Sequence, residues 1–353
     1  FIIENNIFGK TPGHNDAIDF DRATRPGPIP QILYNMFTGG GDEALDLEAD
    51  AHIEGNIFMH YHEDVYNTDP GESNTFSLGR GKNLMVVRNI FYDVDHVILV
   101  KEDSFVTFVN NTVVDVDKAA LYFDLPGQTG GPGLGAYVDG SIFWDHEGMI
   151  FDQVGPSTQL AVSNSIIPSD WHHFGVGNID TNPLFVDDQG DFRLKPDSKA
   201  IGAGPWGLDM GALVPAGAAI SGEPNPVTYR TNAILTVGGP GITVYKYSVN
   251  NPAGPWSEER SADVPIELNN LLNGNSYTVY AIGKNSAGVW QSQEHPAASK
   301  TWTVDITYSE LVINEILANT IETKSDMIEL YYDGPAPLDL AGMSLSDDPT
   351  EPS

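Results

Sequence analysis

The stretches IEGNIF (53–58), VVRNIF (86–91) and FVNNTV (108–113) decide the fold, because each has an apolar approach, an Asn and then an apolar or β-branched pair. The same pattern occurs in IIENNIF (2–8), ILYNMF (32–37), VDGSIF (138–143) and VSNSII (162–167). Its polar positions are Asn6, Asn35, Asn56, Asn89, Asn111, Ser141 and Ser165, at intervals of 29, 21, 33, 22, 30 and 24 residues. Seven in-phase copies of so short a unit predict a solenoid, in which stacked repeats bury a common core.

A second pattern follows each of the first six copies: AIDFD (17–21), ALDLE (44–48), TFSLG (75–79), VILVK (97–101), ALYFD (120–124) and MIFDQ (149–153). These runs alternate apolar and polar residues, which predicts strands with one buried face. A unit of two or three short strands cannot bury its apolar face alone, so we expect the repeats to stack as parallel strands. A β-sandwich also has closely spaced strands, but the in-phase recurrence favours the solenoid.

Asparagine at the recurring polar position has two physical explanations. Its amide can bond to the equivalent Asn one repeat away, and its backbone tolerates the left-handed conformation of a tight turn. Gly55 and Gly140, each directly before a polar position, fit the same bend.

Residues 1–213 resemble right-handed parallel β-helix proteins of the pectate-lyase-like superfamily. The resemblance rests on the repeats and on NPLFVDDQGDFRLKPDSKAIGAG (182–204) with GLDMGA (207–212), which is similar to the segment that closes the last coil in many secreted bacterial β-helices. It implies an extracellular or cell-surface location. Because the first copy already lies inside a coil, the resemblance also implies that an N-terminal cap is lacking.

Two smaller modules are expected after a linker at residues 214–224. Residues 225–305 resemble a fibronectin type III domain through LLNGNSYTVYAIGKNSAG (271–288), with Tyr277 as the corner tyrosine. Residues 306–353 resemble the first half of a lamin-tail domain, through Ile313–Glu315, Ile328–Tyr331, Asp339–Gly342 and Leu345–Asp347. The expected fold is therefore all-β: a right-handed parallel β-helix, one complete immunoglobulin-like β-sandwich and one truncated sandwich.

Composition excludes several classes of function. The chain has 353 residues with 49 acids against 17 bases, a formal charge of −32 and no Cys. A field of this sign repels nucleic-acid phosphates, so nucleic-acid binding is not expected. No apolar run is long enough to span a membrane, and cysteine nucleophiles, disulfides and thiolate metal sites are excluded.

Carboxylates in the second pattern predict a metal site. With Ile18, Phe20, Leu45 and Leu47 facing inward, stacking places Asp19 beside Asp46 and Asp21 beside Glu48 on the outer face. Four carboxylates on adjacent repeats repel one another unless a hard cation bridges them, so Asp19, Asp21, Asp46 and Glu48 are a candidate Ca²⁺ site. The alternative is a solvated acidic face.

Candidate catalytic residues lie next to this face. The longest insertion, MHYHEDVYNTDPGES (59–73), carries His62 and Tyr66, and Arg80 and Lys101 end the second-pattern strands. A polysaccharide lyase needs a base and a positive group that stabilises an enolate-like intermediate, which these four residues supply by type. A glycoside hydrolase needs two spaced carboxylates instead. The pair His60 and His62 could hold a transition metal, but the sequence offers no evident third ligand.

Three functions remain open from the sequence. The first is an extracellular or cell-surface protein that binds, and in one version cleaves, polysaccharide, with divalent cations as partners. The second is a non-catalytic structural, adhesive or filament-forming surface protein, in which the open solenoid end is covered by self-assembly or by neighbouring domains. The third is a glycoside hydrolase on the same scaffold.

Overall fold

Nearly all regular structure is β-strand in the computed structural model, which describes residues 1–67, 74–124, 130–307, 311–317, 327–332 and 337–341. The strands of the repeat region are β1 (Ile2–Glu4), β2 (Ile7–Phe8), β3 (Ile18–Asp21), β4 (Gln31–Leu33), β5 (Met36–Phe37), β6 (Leu45–Glu48), β7 (Ala51–Glu54), β8 (Ile57–Tyr61), β9 (Asn74–Leu78), β10 (Asn83–Val87), β11 (Ile90–Val100), β12 (Phe105–Val109), β13 (Thr112–Tyr122), β14 (Gly135–Asp139), β15 (Ile142–His146), β16 (Met149–Asp152) and β17 (Gln159–Ser163). A 3₁₀ helix (Ser169–Phe174), the antiparallel pair β18 (Phe185–Asp187) and β19 (Asp191–Leu194), and a 3₁₀ turn (Pro205–Gly207) follow.

The repeats build two parallel sheets. The first face is a seven-stranded sheet in the order β1-β4-β7-β10-β12-β14-β17. The other sheet has ten strands and bends into two faces. We call β2, β5, β8, β15 and the first halves of β11 and β13 the second face, and β3, β6, β9, β16 and the second halves of β11 and β13 the third face. Each of the first six repeats thus adds one strand to each face, the seventh adds β17 to the first face, and the expected parallel pairing of repeats is confirmed.

Two strands run across the bend between the second and third faces, which we call the 2–3 corner. The sequence predicts separate strands on either side of this corner, but β11 and β13 each continue through it for 11 residues. The pairing of β11 with β13 shifts between Val94 and His96. A local irregularity in the pairing of β11 with β13 therefore accommodates the bend, and both strands remain continuous.

A column of stacked aromatic rings fills the core. Phe8, Phe37, Phe58, Phe91, Phe108 and Phe143 come from successive repeats, with ring centroids 4.5 to 5.9 Å apart. Leu45, Leu47, Phe76 and Leu78 of the third face are fully buried in the same cluster, as the alternating pattern predicts. Because the second and third faces share this cluster, their outward columns are held in one register.

The recurring Asn side chains bond from one repeat to the next. The backbone N–H of Asn56 donates to Asn89 Oδ1 at 2.9 Å, and that of Asn89 donates to Asn111 Oδ1 at 2.9 Å. Asn35 donates to Asn56 in the same way, and Ser141 Oγ accepts from Asn111. We call Asn6, Asn35, Asn56, Asn89, Asn111, Ser141 and Ser165 the Asn ladder.

The left-handed backbone of this turn lies one residue before the ladder. Positive φ angles occur at Tyr34, Gly55, Arg88 and Asn110, at 55°, 70°, 56° and 50°, but at none of the ladder residues themselves. The second sequence-based explanation for the Asn residues is therefore wrong. Side-chain hydrogen bonding selects Asn, and the preceding residue carries the turn.

A second apolar core lies in the C-terminal half. Its strands are β20 (Ala219–Ser221), β21 (Val227–Thr228), β22 (Ala233–Gly238), β23 (Ile242–Val249), β24 (Arg260–Ser261), β25 (Ile266–Leu268), β26 (Ser276–Tyr277), β27 (Val279–Asn285), β28 (Ala297–Ala298) and β29 (Trp302–Val304). They form three small, mainly antiparallel sheets around Leu235, Tyr245 and Trp302. Tyr277 Oη accepts a hydrogen bond from the backbone N–H of Leu272 at 2.7 Å, as expected of a corner tyrosine.

The boundaries of the C-terminal modules differ in detail from the expectation. β20 lies within the predicted linker 214–224 yet pairs with β22, because its apolar residues complete that sheet. The strands β30 (Leu311–Leu317) and β31 (Met327–Tyr332) form an antiparallel pair. The predicted lamin-tail positions Gly342 and Leu345–Asp347 lie outside the described residues. Among the described residues, no helix has the length and apolar character needed to cross a membrane.

The Asn ladder predicts a position-dependent loss of stability. Asn89→Ala leaves the buried N–H of Asn56 without its acceptor, so we expect the free energy of unfolding to fall by about 2–4 kcal/mol. Asn6→Ala, at the exposed end of the ladder, is the matched control and should cost less than about 1 kcal/mol. Denaturant unfolding of both variants provides the measurement, and equal losses would contradict the role of burial.

Candidate functional site

The predicted acidic columns lie on the third face. Asp19 pairs in register with Asp46, and Asp21 with Glu48. Asp19 and Asp21 are exposed, and Asp46 and Glu48 are half-buried. We call these four residues the acidic face.

The same columns are covered in later repeats. Ser77, Leu99 and Tyr122 continue the column of Asp19 and Asp46 but are all nearly buried. The segment 130–134 folds back here, with Lys101 bridging to Pro132 and Gly133 N–H donating to the Phe123 carbonyl at 2.7 Å. The open part of the acidic face is therefore confined to the first repeats. Residues 125–129, which precede this segment, lie outside the described residues.

Two of the predicted catalytic residues, Arg80 and Lys101, interact with the acidic face. Arg80 Nη1 lies 2.5 Å from Glu48 Oε2 and 3.6 Å from Asp21 Oδ2. Burial raises the pKa of Asp46, and the charge of Lys101 opposes that rise. Burial likewise raises the pKa of Glu48, against the charge of Arg80. The two basic side chains thus act as counter-ions of the acidic face.

The four predicted calcium ligands do not converge on one point. Within the described ranges, two groups have ligand atoms within 4.8 Å of one another: His62 with Asp95 and Asp117, and Asp16 with Asp42 and Glu43. Neither group contains a residue of the acidic face. The reason is that Glu48 and Asp21 turn toward Arg80 instead of toward a common centre.

A second ladder of charged residues occupies the 2–3 corner. HYH (60–62), DVD (93–95), DVD (115–117) and DHE (145–147) lie side by side in register on successive repeats. The first residue of each triplet has a left-handed backbone, with φ of 61° at His60, 56° at Asp93, 61° at Asp115 and 50° at Asp145. His, Asp and Asn tolerate this conformation better than other non-Gly residues. We call this set the corner ladder.

His62 is the centre of the corner ladder. Its Nε2 lies 2.8 Å from Asp93 Oδ1, and its Nδ1 lies 2.9 Å from Asp95 Oδ1. His60 bonds to the other oxygen of Asp93. The hydrogen bond to Asp95 and the charges of both carboxylates, working against burial, raise the pKa of His62 to about 9.

These contacts change the chemistry expected of His62. With both ring nitrogens donating to carboxylates, His62 is an imidazolium at neutral pH, so it is neither a free base nor a metal ligand there. Asp95 and Asp117 do place further ligand atoms near those of His62, but His60 does not belong to this group. The two protonated nitrogens nevertheless oppose metal binding at neutral pH.

Lys118 is a second cation at the 2–3 corner, beside His62. Lys118 Nζ lies 2.5 Å from Glu63 Oε1 and 3.0 Å from the nearly buried Asp95. Burial alone would lower the pKa of Lys118, but hydrogen bonds to Glu63 and Asp95 raise it. The corner ladder is therefore an ion-pair network in which two cations separate several carboxylates.

The four predicted catalytic residues are not brought together. His62 lies beside the start of β9 and Arg80 beyond its end, so the five-residue strand separates them by roughly 16 Å. Tyr66 is exposed, and its backbone N–H donates to Asp64 Oδ1 at 2.8 Å. Residues 68–73 of the predicted loop 59–73 lie outside the described residues.

Sequence reasoning missed the corner ladder, although a signal for it was present. His60, Asp93, Asp115 and Asp145 each lie four residues after the ladder residue of their own repeat, namely Asn56, Asn89, Asn111 and Ser141. A search for charged residues at constant offset from the Asn ladder would have found them.

Comparison with known proteins adds no family. No protein-family model matches the chain, and no curated protein matches it significantly.

The pKa of His62 predicts how stability depends on pH. Because its folded-state value of about 9 lies above the ordinary 6.5, its contribution is complete below pH 6.5 and is lost as pH rises through about 9. The unfolding free energy of the wild type relative to His62→Gln should fall by on the order of 2 kcal/mol over this range, allowing for solvent screening. His295→Gln, at an exposed histidine, is the control. Chemical unfolding at pH 6.5 and 9.5 tests this, and equal changes in the two variants would refute it.

Proposed function

We propose that residues 1–213 form a right-handed parallel β-helix of the pectate-lyase-like class, in an exported protein that binds polysaccharide along its acidic face. Support for the architecture comes from the parallel faces, the Asn ladder and the single aromatic core. Support for the modules that follow, a fibronectin type III-like sandwich and the start of a lamin-tail-like domain, comes from the Tyr277 corner and from the β30–β31 pair.

One observation carries the binding proposal: carboxylates stack in two columns around a guanidinium on an open face. Asp19 and Asp46 lie side by side, as do Asp21 and Glu48, and Arg80 contacts the second pair. Ionised carboxylates accept strong hydrogen bonds from sugar hydroxyls, and Arg80 offers donors beside them. The two repeats lie about 4.8 Å apart, so the open face presents two short columns of polar groups to a sugar unit.

The charge of this region favours a neutral glycan. Residues 1–125 carry 21 acids and 8 bases, a net charge of −13. A uronate chain would be repelled by this field unless calcium bridged the two. Neutral hydroxyls gain hydrogen bonds without that repulsion.

Binding without elimination is supported by the protonation state of the basic groups. An elimination needs a base that can accept a proton next to the substrate. His62 is an imidazolium held by two aspartates, and Arg80 is paired with Glu48. We therefore propose recognition, and not proton abstraction, as the role of the acidic face.

A second candidate function, a non-catalytic structural surface protein, is favoured by the contact between the first two modules. His52 Nδ1 lies 2.8 Å from Ser286 Oγ, and Arg25 also reaches Ser286. His52 is fully buried and bonds Glu54 through its other ring nitrogen at 2.9 Å. Such a junction fixes the sandwich against the repeat region, which suits a structural role.

The test is a binding measurement on neutral and uronate-containing polysaccharides, with calcium and with chelator. We expect the wild type to retain a neutral glycan, and Asp21→Asn/Glu48→Gln to weaken retention at least tenfold, because each amide replaces two charged acceptor oxygens by one neutral acceptor and a donor. Asp188→Asn/Asp197→Asn removes two exposed charges elsewhere and should bind as the wild type does.

The same samples separate binding from cleavage. Unsaturated products that absorb ultraviolet light and vanish in Arg80→Ala or Lys101→Ala would replace our proposal with a lyase, and new reducing ends without absorbance would replace it with a hydrolase. Retention of no glycan by the wild type would leave the structural role.

A further inference from the structure

Three carboxylates meet beneath the 2–3 corner of the first two repeats. Asp16 directly precedes the third-face strand of its repeat, and Asp42 and Glu43 precede that of the next. The backbone N–H of Ala17 donates to the Glu43 carbonyl at 3.2 Å, so the segments that lead into β3 and β6 lie side by side. One oxygen of each carboxylate lies within 4.8 Å of the others. We call Asp16, Asp42 and Glu43 the inner triad.

A buried tyrosine hydroxyl, that of Tyr61, interacts electrostatically with the inner triad. Tyr61 is fully buried, and its Oη has no hydrogen-bond partner among the described residues. Burial raises the pKa of Tyr61, and the nearby charge of Asp16 raises it further. Asp16 Oδ1 is itself buried without a partner. Two buried oxygen atoms that influence each other electrostatically are therefore both without a hydrogen-bond partner among the described residues.

A threonine hydroxyl adds a third oxygen of this kind. Thr11, Gly40 and Tyr61 are stacked by parallel bridges on three successive repeats. A Cβ on Gly40 would lie 2.6 Å from Tyr61 Cε1 and 2.8 Å from Thr11 Oγ1, so the ring and the hydroxyl close over this glycine. Thr11 Oγ1 is also buried and unpartnered within the described part of the chain.

The segment 61–67 covers these oxygens. Asp64 Oδ2 accepts from the backbone N–H of Gly13 at 3.0 Å, and Asn67 Nδ2 donates to the Gly41 carbonyl at 2.9 Å. A Cβ on Gly41 would lie 2.7 Å from Asp64 Oδ2, so glycine is required for the cover to close. The inner triad is thus half-buried under this segment.

Two arrangements relieve the repulsion within such a triad: a shared proton or a shared cation. Burial, with the hydrogen bond to Asp42 and the charges of its neighbours, raises the pKa of Glu43 to about 11, so a proton can be held there. A proton on Glu43 can be shared with one oxygen of Asp16, but it leaves Tyr61 Oη, Thr11 Oγ1 and Asp16 Oδ1 without partners among the described residues. A hard cation takes six to eight oxygen ligands and gives all of them a partner.

We propose that Asp16, Asp42 and Glu43, with the hydroxyls of Tyr61 and Thr11, form a structural site for a hard divalent cation such as Ca²⁺. The site is distinct from the acidic face and does not depend on polysaccharide binding. The cation ties the first repeats to the covering segment 61–67. The ligand class is set by the donor set, which is entirely oxygen.

The test compares two near-isosteric variants of the full chain. Glu43→Gln mimics the protonated carboxyl, and Tyr61→Phe removes the unpartnered hydroxyl. Ca²⁺ should raise the melting temperature of the wild type in a saturable way, because a ligand that binds the folded state stabilises it. Both variants should bind Ca²⁺ at least tenfold more weakly by calorimetric titration, with a correspondingly smaller rise in melting temperature.

Controls separate this site from the acidic face. Asp21→Asn/Glu48→Gln and Asp188→Asn should keep the full response to Ca²⁺, so loss of glycan binding and loss of cation binding are scored independently. In chelator, Tyr61→Phe should be at least as stable as the wild type, since it loses an unsatisfied buried hydroxyl.

Three outcomes would overturn the proposal. The first is a melting temperature of the wild type that does not respond to Ca²⁺ or Mg²⁺. The second is a Glu43→Gln variant with unchanged cation affinity. The third is a Tyr61→Phe variant that is less stable than the wild type in chelator, which would mean that the hydroxyl already has a partner. A shared proton would then describe the inner triad.

Discussion

The bond from each ladder Asn to the backbone and amide of its neighbour is the constraint on which the rest of this structure depends. Each Oδ1 accepts both the backbone N–H and the amide of the preceding ladder residue, as Asn89 does from Asn56. Asn56, Asn89 and Asn111 are buried, so every one of these bonds must be made. Because a bond of this kind tolerates no slip between repeats, it sets one register for all three faces. The position of a residue relative to its own ladder Asn then decides whether it faces the core, the solvent or a corner.

Charge is distributed along this register in columns. At the 2–3 corner, His62 and Lys118 separate the carboxylates of successive repeats, and on the acidic face Arg80 has the same effect. In the inner triad, by contrast, no cationic side chain lies within salt-bridge distance among the described residues apart from His14 beside Asp42, at 3.8 Å. The three places therefore differ in how repulsion between carboxylates is relieved, and this difference separates the corner ladder, the acidic face and the inner triad.

Much of the fold could be predicted, because it follows from local periodicity. Alternation placed Leu45 and Leu47 inside and Asp46 and Glu48 outside, and the stacking of Asp19 on Asp46 followed from the repeat interval. The continuity of β11 and β13 through the corner could not be predicted, since a bend in a sheet depends on packing on both sides of it. Nor could the burial of Ser77 and Leu99, since the exposure of an outward column depends on contacts made outside its own strands.

The candidate site, like the fold, could be predicted only in part from the sequence. By itself the sequence determined that the chain is an acidic, cysteine-free protein with a repeated β-unit whose carboxylates and core residues recur in phase, because period and charge are properties of the chain alone. Only the tertiary structure decided which charges meet. Arg80 turned from a potential catalytic group into a counter-ion of Glu48, and His62 acquired two aspartates from the next repeat. Tyr61 was buried above Asp16 from two repeats away. The physical reason is that partners in stacked parallel repeats are separated by one or two whole repeats of variable length, so their side chains meet through stacking and not through proximity in the sequence.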